Sequence, residues 1–246
     1  MDIKIKFNFY NDYIEYNNFE EIVQLDNYND IKYIDCCDNN LTSLPDNLPN
    51  SLIKIECYNN NLTSLPDNLP NSLKCIDCDH NNLTSLPDNL PNSLEILWCD
   101  NNNLTNLPDN LPNSLKYLNC DDNNLTSLPD YLPNLLEKLW CDNNNLNSLP
   151  YNLPNSLEVL YCSNNNLTSL PDNLPNSLER LSFINNPIYS FIKKYYNKDW
   201  QEYIKWKQKY KKSSNIIGSW FLDCKYNPKY KYCKDRLNRE YDSLYS

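Results

Sequence analysis

A phrase of the form Leu-Thr-Ser-Leu-Pro restarts every 21 residues along most of this chain, and so strict a period leaves few folds open. Its first leucine falls at Leu41, Leu62, Leu83, Leu104, Leu125, Leu146 and Leu167, and Ile188 takes the eighth place. A unit this short cannot bury an apolar face by itself. Neighbouring units must stack and share one continuous core, which predicts a solenoid.

One unit runs Leu52-Ile53-Lys54-Ile55-Glu56-Cys57-Tyr58-Asn59-Asn60-Asn61-Leu62-Thr63-Ser64-Leu65-Pro66-Asp67-Asn68-Leu69-Pro70-Asn71-Ser72. The stretch around Ile55-Glu56-Cys57 is predicted to be extended and to stack on its copies as a parallel sheet, about 4.8 Å per strand. Leu52, Ile55, Cys57, Leu62, Leu65 and Leu69 are predicted to point into the coil. Asn60 and its equivalents from Asn39 to Asn186 are predicted to turn the chain and to bond the backbone of the next coil. Pro66 and Pro70, four residues apart, exclude a regular helix from the back of the coil.

With cysteine in the third apolar slot, the unit fits the pattern L-x-x-L-x-L-x-x-N-x-L, and the chain resembles the leucine-rich-repeat family. Its doubled-proline half, Leu-Pro-Asp-Asn-Leu-Pro, is similar to the short repeats of secreted bacterial effectors. The chain has no alanine, one glycine (Gly218) and one histidine (His80). That bias, together with the tail Trp220-Phe221-Leu222-Asp223-Cys224-Lys225-Tyr226-Asn227-Pro228, resembles repeat proteins of amoeba-infecting giant DNA viruses (mimivirus-like). The resemblance implies a leucine-rich-repeat solenoid of the α/β horseshoe class, right-handed, mostly β and extended. It implies eight 21-residue repeats, a parallel sheet on the concave face and a helical C-terminal cap. The function it implies is binding of a protein partner, a host protein if the chain is viral.

Three regions follow: an N-terminal cap over residues 1–30, the repeats over 31–188, and a basic, Tyr/Lys-rich helical cap over 189–246. Strict alternation over residues 2–9 reads as a strand, and Phe19 to Leu25 as a short helix. Beyond Ile188, Asp199 is placed to cap a helix through Lys212, with Glu202 three residues on. Asn227-Pro228 reads as a second helix start, and Tyr230, Cys233, Leu237, Tyr241 and Leu244 share one face of that helix. Residues 193–246 carry 14 Lys/Arg against 6 Asp/Glu, whereas the rest of the chain carries 8 against 26. A basic tail on an acidic body also fits a structural or virion-associated protein that acts through that tail. Lys225, Lys229, Lys231 and Lys234 interleave with Tyr226, Tyr230 and Tyr232, as in segments that hold phosphates or single-stranded nucleic acid. A solvated helix face has the same composition, and nucleic acid is the disfavoured partner.

Nothing in the sequence points to catalysis, a cofactor or a metal. Cys36, Cys57, Cys78, Cys99, Cys120, Cys141 and Cys162 fill one inward slot and are expected to be reduced, buried thiols. A metal thread there would place charged thiolates in an apolar core without tetrahedral geometry. Cys224 and Cys233 lack the further ligands that zinc needs. His80 is expected on the exposed side of its coil while Cys78 points inward, so the two cannot form a catalytic pair. The residues after the repeats are too few for the cysteine-dependent ligase domain that follows similar repeats in some bacterial effectors. The Asn-Leu-Thr sequons are by-products of the repeat. The first residues lack a signal-peptide core and no apolar run spans a bilayer, so a cytoplasmic, non-membrane protein is expected.

Units copied from one another are alike by descent, so divergence locates the working surface. The outward strand position runs Asp35, Glu56, Asp77, Trp98, Asn119, Trp140, Tyr161, Ser182. Two residues earlier it runs Tyr33, Lys54, Cys75, Ile96, Tyr117, Lys138, Val159, Arg180. The middle units should therefore display Trp98, Trp140 and Tyr161 beside Ile96, Tyr117 and Val159, and clustered exposed aromatics are common interface anchors. Asp79, Asp100, Asp121 and Asp142 form an adjacent column. It either faces a basic partner or cation, or bonds the amides of the turns.

Overall fold

The computed structural model describes residues 2–8, 12–196 and 200–208. The chain divides into two compact units, Met1–Pro187 and Ile188–Ser246.

The first unit is a parallel-sheet solenoid. Its eight repeat strands are β3 (Tyr33–Asp35), β4 (Lys54–Glu56), β5 (Cys75–Asp77), β6 (Ile96–Trp98), β7 (Tyr117–Asn119), β8 (Lys138–Trp140), β9 (Val159–Tyr161) and β10 (Arg180–Ser182), joined by seven turns of the coil. Each pairs in parallel with the next and in one register, so a residue always lies beside its equivalent 21 positions away. In every strand the middle residue points inward. In the representative unit, Leu52, Ile55, Cys57, Leu62, Leu65 and Leu69 are all buried, as predicted. Full burial of one leucine stabilises by about 1.5–3 kcal/mol, and every coil contributes several such side chains to one core.

The back of each coil contains no helix, as the paired prolines require. Instead the second proline opens a tight turn: the Leu52 N–H donates to the Pro49 carbonyl at 3.0 Å, and the Leu73 N–H repeats this with Pro70. A serine inside that turn fastens the coil to the one before. Ser72 Oγ shares its one proton between the Leu52 carbonyl at 2.7 Å and the Asn50 carbonyl at 2.8 Å, and Ser93, Ser114 and Ser156 do the same one coil apart.

The corner after each strand divides its work between two residues. The chain reverses at Asp38, Asn59, His80, Asn101, Asp122, Asn143, Asn164 and Asn185, all with φ between 50° and 59°. That is one residue earlier than the sequence suggested. Asparagine, aspartate and histidine are the non-glycine residues that best tolerate this left-handed region, and this explains how a chain with one glycine builds eight such corners.

The following asparagine is buried and does the bonding. Asn60 Oδ1 accepts the Leu41 N–H at 2.9 Å, while its Nδ2 donates to the carbonyls of Cys36 and Cys57 at 3.0 Å. The pattern recurs at Asn81, Asn102, Asn123, Asn144, Asn165 and Asn186. Asn39, the first of the series, instead bonds both backbone groups of Asp2.

The predicted N-terminal strand is shorter than the alternation over residues 2–9. It is β1 (Ile3–Lys6), with Ile3 and Ile5 fully buried. It pairs antiparallel with β3 and, on its other side, with β2 (Ile14–Tyr16), a strand absent from the sequence reading. Helix α1 (Phe19–Ile22) stops short of Leu25 and is capped by Asn18, whose side chain accepts from the Glu21 N–H at 2.9 Å. A single 3-10 turn at Tyr28–Asp30 leads into the first coil.

In the second unit, α2 (Pro187–Tyr195) buries Ile188 and Ile192, and residues 200–208 are helical. Phe191, Tyr196, Tyr203 and Trp206 form an aromatic cluster with ring centroids 5.5–6.3 Å apart. Asp199, the Asn227-Pro228 helix start, the Tyr230-to-Leu244 stripe, Cys224, Cys233 and the lysines from Lys225 to Lys234 lie outside the described residues. No helix among the described residues is long and apolar enough to cross a membrane.

Candidate functional site

The strands alternate, so residues on either side of each inward residue share the outer face of the sheet. Register places Trp98 beside Asn119 and Asn119 beside Trp140. The two tryptophans therefore stand two strands apart, about 10 Å between backbones. Trp98 is 37% exposed. Ile96, Tyr117, Trp140 and Tyr161 are half-buried, while Val159 and Cys75, in the same columns, are buried and present little surface.

Asn119 forms the floor between the tryptophans and is fixed from two sides. Its Nδ2 donates to Asp100 Oδ1 at 2.7 Å, and its Oδ1 accepts the Asp121 N–H at 3.1 Å. Tyr117 is held at the rim. Its hydroxyl donates to Glu137 Oε2 at 3.0 Å, and Lys138 Nζ lies 5.2 Å from its ring centroid, a cation–π distance.

The aspartate column has amide partners. Asp79 Oδ1 accepts the Asp100 N–H at 2.8 Å, Asp121 Oδ1 accepts the Asp142 N–H at 2.5 Å, and Asp142 Oδ1 accepts the Ser163 N–H. These three carboxylates reach one coil forward to a backbone amide, whereas Asp100 accepts from the side-chain amides of Asn119 and Asn101. The position also strips water from the charge. Burial raises the Asp121 carboxyl to about 7 and the neighbouring Asp77 to about 6. Asp79 rises further, through burial and then through a carboxyl–carboxyl hydrogen bond with Asp100.

The seven ladder cysteines are buried free thiols. Packing is only part of their role. Cys57 Sγ donates to the Asp77 carbonyl at 3.2 Å, the same oxygen that accepts the Cys57 N–H at 2.8 Å. Cys78, Cys99, Cys120, Cys141 and Cys162 repeat the bond at 3.1–3.3 Å. Burial lifts their pKa far above the ordinary thiol range, so the proton needed for donation stays in place. His80 turns its corner with 59% of its side chain exposed, and the fully buried Cys78 belongs to the ladder. Among the described residues no group of three or more His, Cys, Asp or Glu is arranged to hold a metal ion.

One surface feature was not anticipated. Tyr131 stands where neighbouring units have asparagine, Leu135 where they have serine, and Tyr151 where they have aspartate. All three lie on the backs of adjacent coils and are exposed, Tyr131 by 84%. The divergence that singled out Trp98 and Trp140 on the strands would have found them too, had it been applied to the proline half of the unit.

The Leucine Rich Repeat family model matches residues 114–135 and 156–176. No curated protein sequence matches the chain. Among solved structures, YopM from Yersinia enterocolitica is 39% identical with a TM-score of 0.58, the match covering 62% of this chain and 32% of that one. A Shigella effector leucine-rich-repeat domain is 35% identical with a TM-score of 0.57, covering 65% of this chain and 72% of that one. A Leptospira interrogans leucine-rich-repeat protein is 26% identical with a TM-score of 0.50, over 70% of this chain and 58% of that one. This chain thus spans only about a third of the YopM chain, but more than two thirds of the Shigella domain. With its period, corner asparagines and parallel strands, it belongs to the leucine-rich-repeat family.

Proposed function

We propose that the protein is a binding scaffold that receives a protein partner on the outer face of its parallel sheet, centred on Trp98 and Trp140. The observation that carries this reading is the pair itself. Two tryptophans replace the polar or small residues found at the same strand position in most other units, and they stand in register around Asn119. Large aromatics left partly in water on a rigid sheet are poor for solubility and good as anchors. The partner we propose is a host-cell protein met in the cytoplasm, in line with the resemblance of composition and tail to giant-virus repeat proteins.

The test is affinity capture from host lysate with the full chain and with the double variant Trp98→Ala/Trp140→Ala. The variant should lose the partner while its thermal midpoint stays within about 2 °C of the parent, because both side chains point away from the core. Undiminished capture would place the interface elsewhere.

A further inference from the structure

Acidic side chains frame the tryptophan pair along both sides. On the side following the strands stand Asp79, Asp100, Asp121 and Asp142; on the side preceding them stand Glu95, Glu137 and Glu158. Three lysines share this part of the face, and all three are engaged. Lys74 and Lys116 both pair with Glu95, at 3.2 and 2.8 Å, and Lys138 lies over Tyr117. Burial takes the charge from Asp79 and part of it from Asp121 at neutral pH, and the other five carboxyl groups still outnumber the three ammonium groups, so the frame is acidic. The sole histidine, His80, is 3.9 Å from Asp100 at its edge.

Backbones about 10 Å apart leave the width of one strand between the two tryptophans, and indole is the aromatic side chain that attracts a cation most strongly. The floor residue Asn119 carries no charge of its own and is bonded to Asp100, which brings a carboxyl group to the edge of the slot. The face already holds one cation on a ring, Lys138 on Tyr117.

We propose that the segment docked here is an extended basic peptide with an arginine or lysine seated between Trp98 and Trp140 above Asn119. This rests on the binding reading given above and adds the chemistry of the partner. An arginine suits the slot better than a lysine, because its planar guanidinium stacks on indole faces and sheds water more readily.

The test uses the full chain and a fluorescein-labelled hexa-arginine peptide, read by fluorescence anisotropy, with hexa-citrulline as the uncharged isostere. Hexa-arginine should bind at least tenfold more tightly than hexa-citrulline. Trp98→Ala/Trp140→Ala should weaken it tenfold or more, and Asp100→Asn with Glu137→Gln threefold or more. The amides in that last variant keep the oxygens that accept from Asn119 and Tyr117, so the fold is retained. Asp109→Asn/Asp130→Asn, on the backs of the coils, should change affinity less than twofold. Two results overturn the proposal. Equal binding of hexa-citrulline would mean an anchor without charge selection, leaving the scaffold reading intact. Equal weakening by the back-face variant, with no effect of the tryptophans, would mean diffuse attraction to an acidic body. The scaffold reading itself fails only if host-partner capture survives Trp98→Ala/Trp140→Ala.

Discussion

Replacing Asn123 by alanine should be among the most damaging single changes in the solenoid, although it removes only one small polar group. The amide has four polar partners: its Oδ1 accepts from the Leu104 N–H at 2.9 Å, and its two N–H groups are shared among the carbonyls of Cys99, Cys120 and Asp121 at 3.0, 3.3 and 2.9 Å. These are not equally replaceable. The Cys99 carbonyl keeps Asn102 as a donor, the Cys120 carbonyl keeps Asn144, and the Asp121 carbonyl keeps the Asn101 N–H. The Leu104 N–H has no second acceptor among the described residues. An orphaned buried donor costs about 1–3 kcal/mol, and the lost packing adds to it, so about 2–3 kcal/mol is expected. The control is Asn124→Ala, the same change one residue on at an exposed site, which should stay within about 0.5 kcal/mol of the parent. Urea denaturation followed by circular dichroism measures both, and hydrogen exchange at the Leu104 amide gives a local readout where a repeat array departs from two-state unfolding. The reasoning is refuted if Asn123→Ala and Asn124→Ala unfold at the same urea concentration.

Three further outcomes follow from the same geometry. Native protein treated with a maleimide should leave the seven ladder cysteines unmodified until it is denatured; rapid native labelling of Cys99 or Cys120 would show that the core opens. Leu135→Ser should restore the serine that fastens every neighbouring turn, raising stability by about 0.5–1 kcal/mol; a clear loss on calorimetry would mean that the exposed leucine is covered by something. Stability should rise as pH falls from 8 to 5: Asp77 and Asp121 titrate near 6 and 7 when folded but near 4 when unfolded, so the folded state binds more protons in that window, and its advantage is lost as pH rises through the folded values. Asp121→Asn should flatten that dependence, and a thermal midpoint that falls on acidification over this range would contradict the shifts.

The repeats were legible because identity at a fixed spacing reveals the fold without any appeal to propensity. Leucines and cysteines that must all face one core can be assigned from a single strand. The corners were harder. Asn59, Asn60 and Asn61 are the same letter, and only the backbone separates the one that turns, the one that bonds inward and the one left in water. Strand β2 was missed because Ile14, Glu15 and Tyr16 lie at the sheet edge with no inward-facing residue to mark them. On the outer face, sequence placed Trp98, Asn119 and Trp140 in order but could not show that Val159 is covered, or that the aspartates reach forward to amides. Those facts depend on side-chain lengths across neighbouring coils, which a period does not encode.

The uniform register makes the solenoid a ruler. Every coil offers its neighbour the same donors and acceptors, so excising residues 105–125 would join Leu104 to Thr126 and leave each ladder paired. The face would change all the same: Trp140 would move from two strands away to the strand beside Trp98, and the space between them would close from about 10 Å to about 5 Å. Separation on such a surface can take only whole multiples of one strand spacing. Gaining or losing a unit therefore resets the size of what fits between two anchors in a single genetic step, with the core beneath unaltered.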